Sequence, residues 1–288
     1  MLIAKNWSEY EALDIGEGYK IERFGDFIFK RPEPTATGPL TLKDIELDGS
    51  FENGKWVHKD LPDSWVINYK NMKLNLSPSS FKHLGVFPEQ AVNWDFIQDV
   101  SKRHDEPLRI LNLFAYTGGA TIAAAMGNVE EVVHIDALKS AIKRTQENIA
   151  LNGLEDKTIR TIVEDVLKFL KREKKRGNTY HAIIMDPPSF GRGPKGEIFK
   201  IENEIDALLD AACDILDEKA VYFIVNTYST NLSHQTVKTI LQKKFKKHHI
   251  HHGAFDSHQI AVPVKVNNQL LKLGSTTRWS LYEDILRR

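Results

Sequence analysis

The residues best suited to chemistry in this chain are Asp186-Pro187-Pro188-Ser189-Phe190, set directly after the apolar run Ala182–Met185. An acid at the end of a buried strand, followed by two prolines and an aromatic, presents fixed hydrogen-bond acceptors and a flat surface. That arrangement suits a planar nitrogenous group. Asp186 and the Pro187 carbonyl would accept from its amino edge, Pro188 would stiffen the turn, and Phe190 would stack on its face. A second candidate lies upstream, in Asn112-Leu113-Phe114-Ala115-Tyr116-Thr117-Gly118-Gly119-Ala120. Its glycines let the backbone approach a ligand closely, and a helix starting there would aim its N-terminus at the same place. The G-x-G-x-x-G spacing of dinucleotide binders is missing. Asp-Pro-Pro alone also describes a stiff surface turn, so the surrounding elements have to discriminate.

From about residue 86 the chain alternates strand and helix. Pro88 can open a helix, and Ala91, Trp94, Ile97 and Val100 continue at helical spacing. Strands are expected at 108–113, 131–135, 158–163, 181–185 and 221–225, with two more between about 246 and 279. Helices are expected at 119–126, 138–152, 166–176, 201–216 and 236–245. Repeated β-α units imply a parallel sheet covered on both faces. The reading is an α/β fold, a Rossmann-like doubly wound seven-stranded sheet over residues 81–288. Residues 1–80 have a different texture and read as a small β-rich N-terminal domain or extension. Asn53-Gly54 between Phe51 and Trp56 is a hairpin signal, and Pro32, Pro34, Gly38 and Pro39 interrupt the chain.

Bulk properties exclude several classes. Hydrophobic residues make up 41% and charged residues 27%, and the formal net charge is zero, which argues against a protein coated in basic charge. A single cysteine, Cys213, excludes an intramolecular disulfide framework and fits a reducing cytoplasm. Residues 1–10 carry no signal-peptide core, and no apolar run approaches the roughly 18 residues that span a bilayer. A cytoplasmic protein without a membrane partner is expected. The basic run from Lys171 to Arg176 reads as a solvated helix end.

In doubly wound sheets ligands bind beyond the carboxyl ends of the strands. Asp136 follows the second strand and either accepts from both hydroxyls of a ribose or caps the next helix. Glu164-Asp165 follows the third, where an acid either accepts the exocyclic amine of an adenine or caps the helix at Val166. The Asp186 turn follows the fourth. Nicotinamide enzymes have no need of it, so it tips the reading towards methyl transfer from S-adenosylmethionine.

The stretches from Leu111 to Gly119, from Glu147 through Asn148 and Asn152 to Gly153, and from Asp186 to Phe190 together resemble a known family. The chain is similar to the class I S-adenosylmethionine-dependent methyltransferases related to the bacterial 23S ribosomal RNA large-subunit methyltransferases of cytosine-C5 and guanine-N7 type. The likeness runs from about residue 65 to the end, and Gly85-Val86-Phe87-Pro88-Glu89-Gln90 resembles the family's entry helix, whose Gln reaches the cofactor. The first 60 residues resemble nothing placed, and the RNA-binding domain of several members is not recognisable. The resemblance implies cofactor contacts from Gln90, Asn112, Phe114, Tyr116, Thr117, Gly118, Gly119, Asp136, Glu164, Asp165 and Asp186. It implies catalysis at Asp186, Pro187, Pro188 and Phe190, an RNA partner (ribosomal), a possible homodimer and no metal.

One departure is informative. C5 methylation needs a cysteine whose thiolate adds to C6 of the base, and in the family it follows the fifth strand. Here that stretch reads Val225-Asn226-Thr227-Tyr228-Ser229-Thr230. Cys213 lies among Ile205, Leu208, Leu209, Ala212 and Leu216, the apolar face of a helix, and reads as core. What remains is direct in-line attack by a nitrogen such as guanine N7 or an exocyclic amine. Tyr228, with Asn226 and Thr227, would form the opposite wall. Arg192 and Lys195, on the glycine-rich stretch from Gly191 to Gly196, suit phosphate contacts, a lid, or a plain solvated loop. His248, His249, His251 and His252 invite a metal site, but they alternate along an expected strand with no cysteine near, and no metal is expected. A methyltransferase for a protein side chain or small molecule is the main alternative. A non-catalytic S-adenosylmethionine- or RNA-binding module and a nicotinamide-dependent oxidoreductase are less well supported.

Overall fold

Asn53 (φ 48°) and Gly54 (φ 77°) both occupy the left-handed backbone region. The chain reverses on them, pairing Gly49–Glu52 antiparallel with Lys55–His58, as the sequence signals. The structure is a computed structural model that describes residues 1–58, 60–192, 198–228 and 230–286. The chain forms two compact units, Met1–Val92 with Ile260–Leu273, and Asn93–Gln259 with Gly274–Arg288. The sequence reading divides the chain near residue 80; the first unit extends to Val92 and also takes in a C-terminal segment.

The first unit contains β1 (Leu2–Ile3), β2 (Tyr10–Gly16), β3 (Tyr19–Phe24), β4 (Phe27–Pro32), β5 (Gly49–Glu52), β6 (Lys55–His58), β7 (Trp65–Tyr69) and β8 (Met72–Leu76). Strands β2 to β6 make a five-stranded sheet in chain order, and β7 with β8 a two-stranded one. β1 pairs in parallel with Ile260 and Ala261. A buried ionic cluster ties β2, β3 and β4 together: Glu22 accepts from the Tyr10 hydroxyl at 2.9 Å and from Arg31 Nε at 2.8 Å. Burial works to raise the Glu22 carboxyl, but Arg31, Lys20 and the Tyr10 hydroxyl hold it below its ordinary value. Removing Arg31 would take away the closest compensation of the buried Glu22 charge.

The remaining elements are α1 (Ala91–Arg103), β9 (Leu108–Leu113), α2 (Gly119–Ala125), β10 (Val129–Asp136), α3 (Lys139–Leu151), β11 (Ile159–Val163), α4 (Val166–Arg176), β12 (Ala182–Met185), β13 (Phe190–Arg192), β14 (Ile198–Lys200), α5 (Ile201–Cys213), β15 (Tyr222–Thr227), α6 (His234–Lys247), β16 (Ala254–Pro263), β17 (Leu270–Ser280) and α7 (Glu283–Leu286). Eight strands make one sheet in the order β1-β16-β17-β15-β12-β9-β10-β11, the short β1 added at the edge beyond the seven expected. The β9/β10, β10/β11, β9/β12 and β12/β15 pairs are parallel, and β15/β17 is antiparallel. Chain order reverses between β9 and β12, so their carboxyl ends form the switch-point crevice. Register aligns four of those ends: Leu113 pairs with Ile135 and Met185, and Met185 pairs with Val225. The next residues, Phe114, Asp136, Asp186 and Asn226, therefore line up along one edge of the sheet.

Local chemistry explains the helix ends. Asp165 caps α4 by accepting from Lys168 N at 2.9 Å, and Gly177 (φ 71°) ends it after Lys174, Lys175 and Arg176. The basic run is thus a helix end, as expected. The histidine segment differs from the reading. α6 continues to Lys247, His248 is its C-cap, His249 turns in the left-handed region (φ 60°), and β16 starts only at Ala254. The four histidines lie on a helix end and turn, because Lys244, Lys246 and Lys247 in the last turn suit continued helix over strand.

Helices α2 and α3 are fixed to the sheet by one buried residue of β10, His134. Thr121 Oγ1, from α2, lies 2.8 Å from His134 Nδ1, and Thr145 Oγ1, from α3, lies 3.3 Å from Nε2. Asn112 Nδ2 donates to Thr121 Oγ1 at 2.9 Å. The Thr121 hydroxyl then donates to Nδ1, which places the imidazole proton on Nε2 and keeps the ring neutral. Burial pushes the His134 pKa down to about 3. An unfolded histidine takes up a proton below about pH 6.5 while the folded one refuses it, so stability is lost as pH falls from about 6.5 towards 3. The expected slope from this one group is about 1.4 kcal/mol per pH unit. Urea unfolding of wild type and His134→Gln between pH 7 and 4 checks it: the wild-type advantage shrinks with acid, and an unchanged difference would contradict the neutral clamp.

Candidate active site

After Leu113 the chain enters the loop Phe114–Gly118 in alternating left-handed steps: Phe114 (φ 55°), Tyr116 (φ 50°) and Gly118 (φ 87°). For the two non-glycine residues this costs on the order of 1–2 kcal/mol each. Hydrogen bonds from neighbouring elements pin the loop at every step. Ala115 N donates to Ile135 O at 3.0 Å, and Tyr116 N donates to Asp136 Oδ2 at 2.9 Å. Thr145 Oγ1 donates to Tyr116 O at 3.0 Å, and Asn148 Nδ2 donates to Thr117 O at 2.9 Å. Gly118 N closes the loop on Ala115 O at 3.1 Å. A side chain at either glycine would force a neighbour to shift: a Cβ on Gly118 would lie 2.7 Å from Thr145 Cγ2, and one on Gly119 2.7 Å from the Trp94 ring. The Phe114 ring packs against Phe199 of β14, with centroids 6.2 Å apart.

Asp136 closes the other side of this loop. Its Oδ1 accepts from Leu138 N at 2.8 Å and its Oδ2 from Tyr116 N. Each oxygen keeps acceptor capacity, so a vicinal diol fits the carboxylate. Burial raises the Asp136 carboxyl, and the backbone N–H groups of Leu138, Tyr116 and Ala137 act against that rise.

Facing the loop from the next strand is the Asp186 turn. Asp186 N donates to Leu113 O at 3.2 Å, and its Oδ2 accepts from the Tyr228 hydroxyl at 3.2 Å. The Tyr228 ring is seated against Gly274, where a Cβ would lie 2.7 Å from Cδ1. Pro187 is buried and Pro188 exposed. Phe190 starts β13, pairs with Lys200 of β14, and is 50% exposed.

The structure therefore brings together Phe114, Tyr116, Thr117, Gly118, Gly119, Asp136, Asp186, Pro187 and Tyr228. Others are placed differently. Asn112 spends its amide on Thr121. Arg172 clasps Glu164, with Nη1 2.7 Å from Oε1, and Asp165 caps α4. Asn226 accepts from Asn93 Nδ2 at 2.9 Å, and Asn93 accepts from Arg278 Nε at 2.9 Å, so this amide faces a buried network. Burial pushes Arg278 down to about 10. Gln90 is a buried residue of the first unit, in the turn Pro88–Gln90, whose Pro88 carbonyl accepts from Trp7 Nε1 at 2.9 Å. Arg192 ends β13, and Lys195 lies outside the described residues. Cys213 is buried in the core, where burial pushes its thiol pKa up. Among the described residues no group of three or more His, Cys, Asp or Glu is arranged to hold a metal.

Sequence reasoning missed the supports beneath the loop, Thr121, His134 and Thr145. The one available signal was a histidine inside an otherwise apolar strand. Asn148 lies in a stretch already singled out, but its role as a clamp on Thr117 joins residues 31 positions apart.

A family model described as S-adenosylmethionine-dependent methyltransferase matches residues 49–211. Among curated relatives, ribosomal RNA large subunit methyltransferase I of Erwinia tasmaniensis is 38% identical over 129 residues, covering 45% of this chain and 32% of the relative. The protein of the same name from Aeromonas salmonicida is 32% identical over 144 residues, 50% of this chain and 35% of the relative. The chain thus spans about a third of the length of the curated relatives it matches. The crystal structure of a SAM-dependent methyltransferase from Agrobacterium tumefaciens superposes with TM-score 0.91 at 32% identity, covering 98% of this chain and 93% of that one. A Streptococcus mutans protein shares the fold at TM-score 0.75 and 19% identity, over 96% of this chain and 76% of that one. With the glycine loop, Asp136 and the Asp186 turn gathered at one edge, the chain belongs to the S-adenosylmethionine-dependent methyltransferase family.

Proposed function

We propose that this protein methylates a nitrogen of a base in RNA, ribosomal RNA first, in the cytoplasm. The observation that carries this reading is the Asp186 carboxylate, held by Tyr228 at the strand end beside the pinned loop. S-adenosylmethionine, when bound, supplies an electrophilic methyl on a sulfonium centre. The loop from Phe114 to Gly119 would hold it, with Asp136 taking its ribose hydroxyls. Asp186 and the Pro187 carbonyl accept from the amino edge of a base and so aim a neighbouring ring or amine nitrogen. The nitrogen's own lone pair would form the N–CH3 bond as the S–CH3 bond breaks and S-adenosylhomocysteine leaves as a neutral thioether; an amine acceptor would then lose its extra proton to solvent, and no covalent link to the protein is required.

Two features support nitrogen over carbon as the acceptor. The stretch from Val225 to Thr230 carries no cysteine, and Cys213 is buried with its thiol held protonated. The work left to the protein is then orientation and exclusion of water, which is where fixed geometry contributes most to rate. The curated relatives' names carry ribosomal RNA as the first substrate to test.

Nucleoside mapping by mass spectrometry of ribosomal RNA from deletion and parent cells tests the substrate. Loss of one N-methylated nucleoside is expected, and an unchanged profile would move the reading to a protein or small-molecule acceptor. Asp186→Ala should lower transfer by about 100-fold, the size expected when a reacting atom loses the group that positions it, while calorimetric binding of S-adenosylhomocysteine changes little. Cys213→Ser should leave turnover unchanged. Gly118→Ala forces a side chain into Thr145 at a left-handed position. It should weaken S-adenosylhomocysteine at least tenfold, and wild-type affinity would argue against the loop as the cofactor site.

A further inference from the structure

Beside the Asp186 turn lies a cleft of about 450 Å³ lined by Ser189, Phe190, Lys200, Glu202, Asn203 and Asn231. We propose that this cleft is a second nucleotide subsite, taking the base and phosphate of the residue adjacent to the methylated one in single-stranded RNA. The proposal rests on the RNA reading above and specifies how that substrate is held.

Each wall matches a part of a nucleotide. Phe190 keeps half of its surface exposed at the cleft, a flat apolar face with no partner of its own kind among the ring contacts of the described residues. Aromatic faces of this sort stack bases with little regard to sequence. Lys200 pairs with Phe190 across the β13–β14 ladder and lines the same cleft, so its ammonium can reach the phosphate of a base stacked there. Asn203, in the first turn of α5, and Asn231 each offer a donor and an acceptor to a base edge. Glu202 accepts from Thr230 Oγ1 at 2.5 Å and from Asn231 N at 3.2 Å. Those bonds lower its carboxyl pKa and fix the Asn231 backbone to the start of α5. The resulting carboxylate repels phosphate from its own side and leaves the Lys200 side for it.

The subsite is mechanically coupled to the catalytic turn. Ile201 N donates to Ser189 O at 3.2 Å, joining the turn to the first residue of α5. Asp186 and Pro187 are not among the walls of the cleft. Phe190 therefore serves the neighbouring base, whereas the sequence alone suggested that it stacks on the target. A base already stacked within a duplex has no free face to offer, so the cleft selects an unstacked, single-stranded segment.

The test uses the full chain and a fluorescein-labelled single-stranded RNA 15-mer of mixed sequence, read by fluorescence anisotropy. Binding of S-adenosylhomocysteine by calorimetry runs alongside as the control for folding. Phe190→Leu should weaken the RNA about fivefold or more, the lower range for one lost base stack. Lys200→Ala should lower the slope of log affinity against log salt by about one. Asn203→Ala with Asn231→Ala should weaken the RNA about fivefold, and every variant should bind S-adenosylhomocysteine as wild type does. If wild type binds the RNA and all these variants match it within twofold, the subsite is overturned and the RNA reading stands. If wild type binds S-adenosylhomocysteine but not the RNA, the RNA reading fails and the subsite fails with it.

Discussion

The active edge depends on a stretch of backbone that would not hold its shape alone. Phe114 and Tyr116 sit in a region that non-glycine residues avoid, at a combined cost on the order of 2–4 kcal/mol. A hydrogen bond contributes about 0.5–1.5 kcal/mol net, so the bonds that α3, β10 and Asp136 make to this loop are of the size needed to offset the strain. Several of them come from side chains whose own positions are set from below. Thr145 holds the Tyr116 carbonyl, His134 faces Thr145, and Thr121 and Asn112 complete the chain of contacts. The loop's geometry is thus a property of two helices and a strand.

The sheet supplies the second constraint. Neighbouring strands lie about 4.8 Å apart, and the matched register of Leu113 with Met185 delivers Phe114 and Asp186 to the crevice one strand spacing apart. Asp186 is anchored twice, through its backbone to Leu113 and through its carboxylate to Tyr228. Tyr228 in turn needs the bare Gly274 beneath its ring. A substitution at Gly274 would therefore act on Asp186 at one remove, although it touches no reacting atom.

Much of this was legible from local signals. The β-α alternation, the Asn53-Gly54 turn and the buried Cys213 follow from periodicity and turn chemistry. Asp165 presented two readings, and the structure uses its side chain as a cap while leaving the adjacent backbone at the strand end. What was not legible depends on pairs far apart in sequence. His134 reads as an oddity in an apolar strand until Thr121 and Thr145 are beside it. Asn226 looks like a wall of the site until Asn93, itself held by Arg278, claims its amide oxygen. Nothing local announces that Ile260–Leu273 belongs with the first unit. The histidines at 248–252 misled for a related reason: alternation suggested a strand, but the lysines that end α6 settle the backbone first.

An enzyme that lacks a covalent nucleophile at its reacting centre has positioning as its main resource. That requirement accounts for where this chain spends its unusual residues. Left-handed non-glycine backbone, glycines pressed against side chains, and a doubly anchored acid all lie on the same edge, and each removes freedom from a group that must meet a partner within a few tenths of an ångström. The same logic extends to the proposed RNA substrate. A base held only by its amino edge at Asp186 could still rotate about that contact. A second contact, one nucleotide away and joined to the turn through Ser189 and Ile201, would remove the rotation without adding any group to the reacting centre.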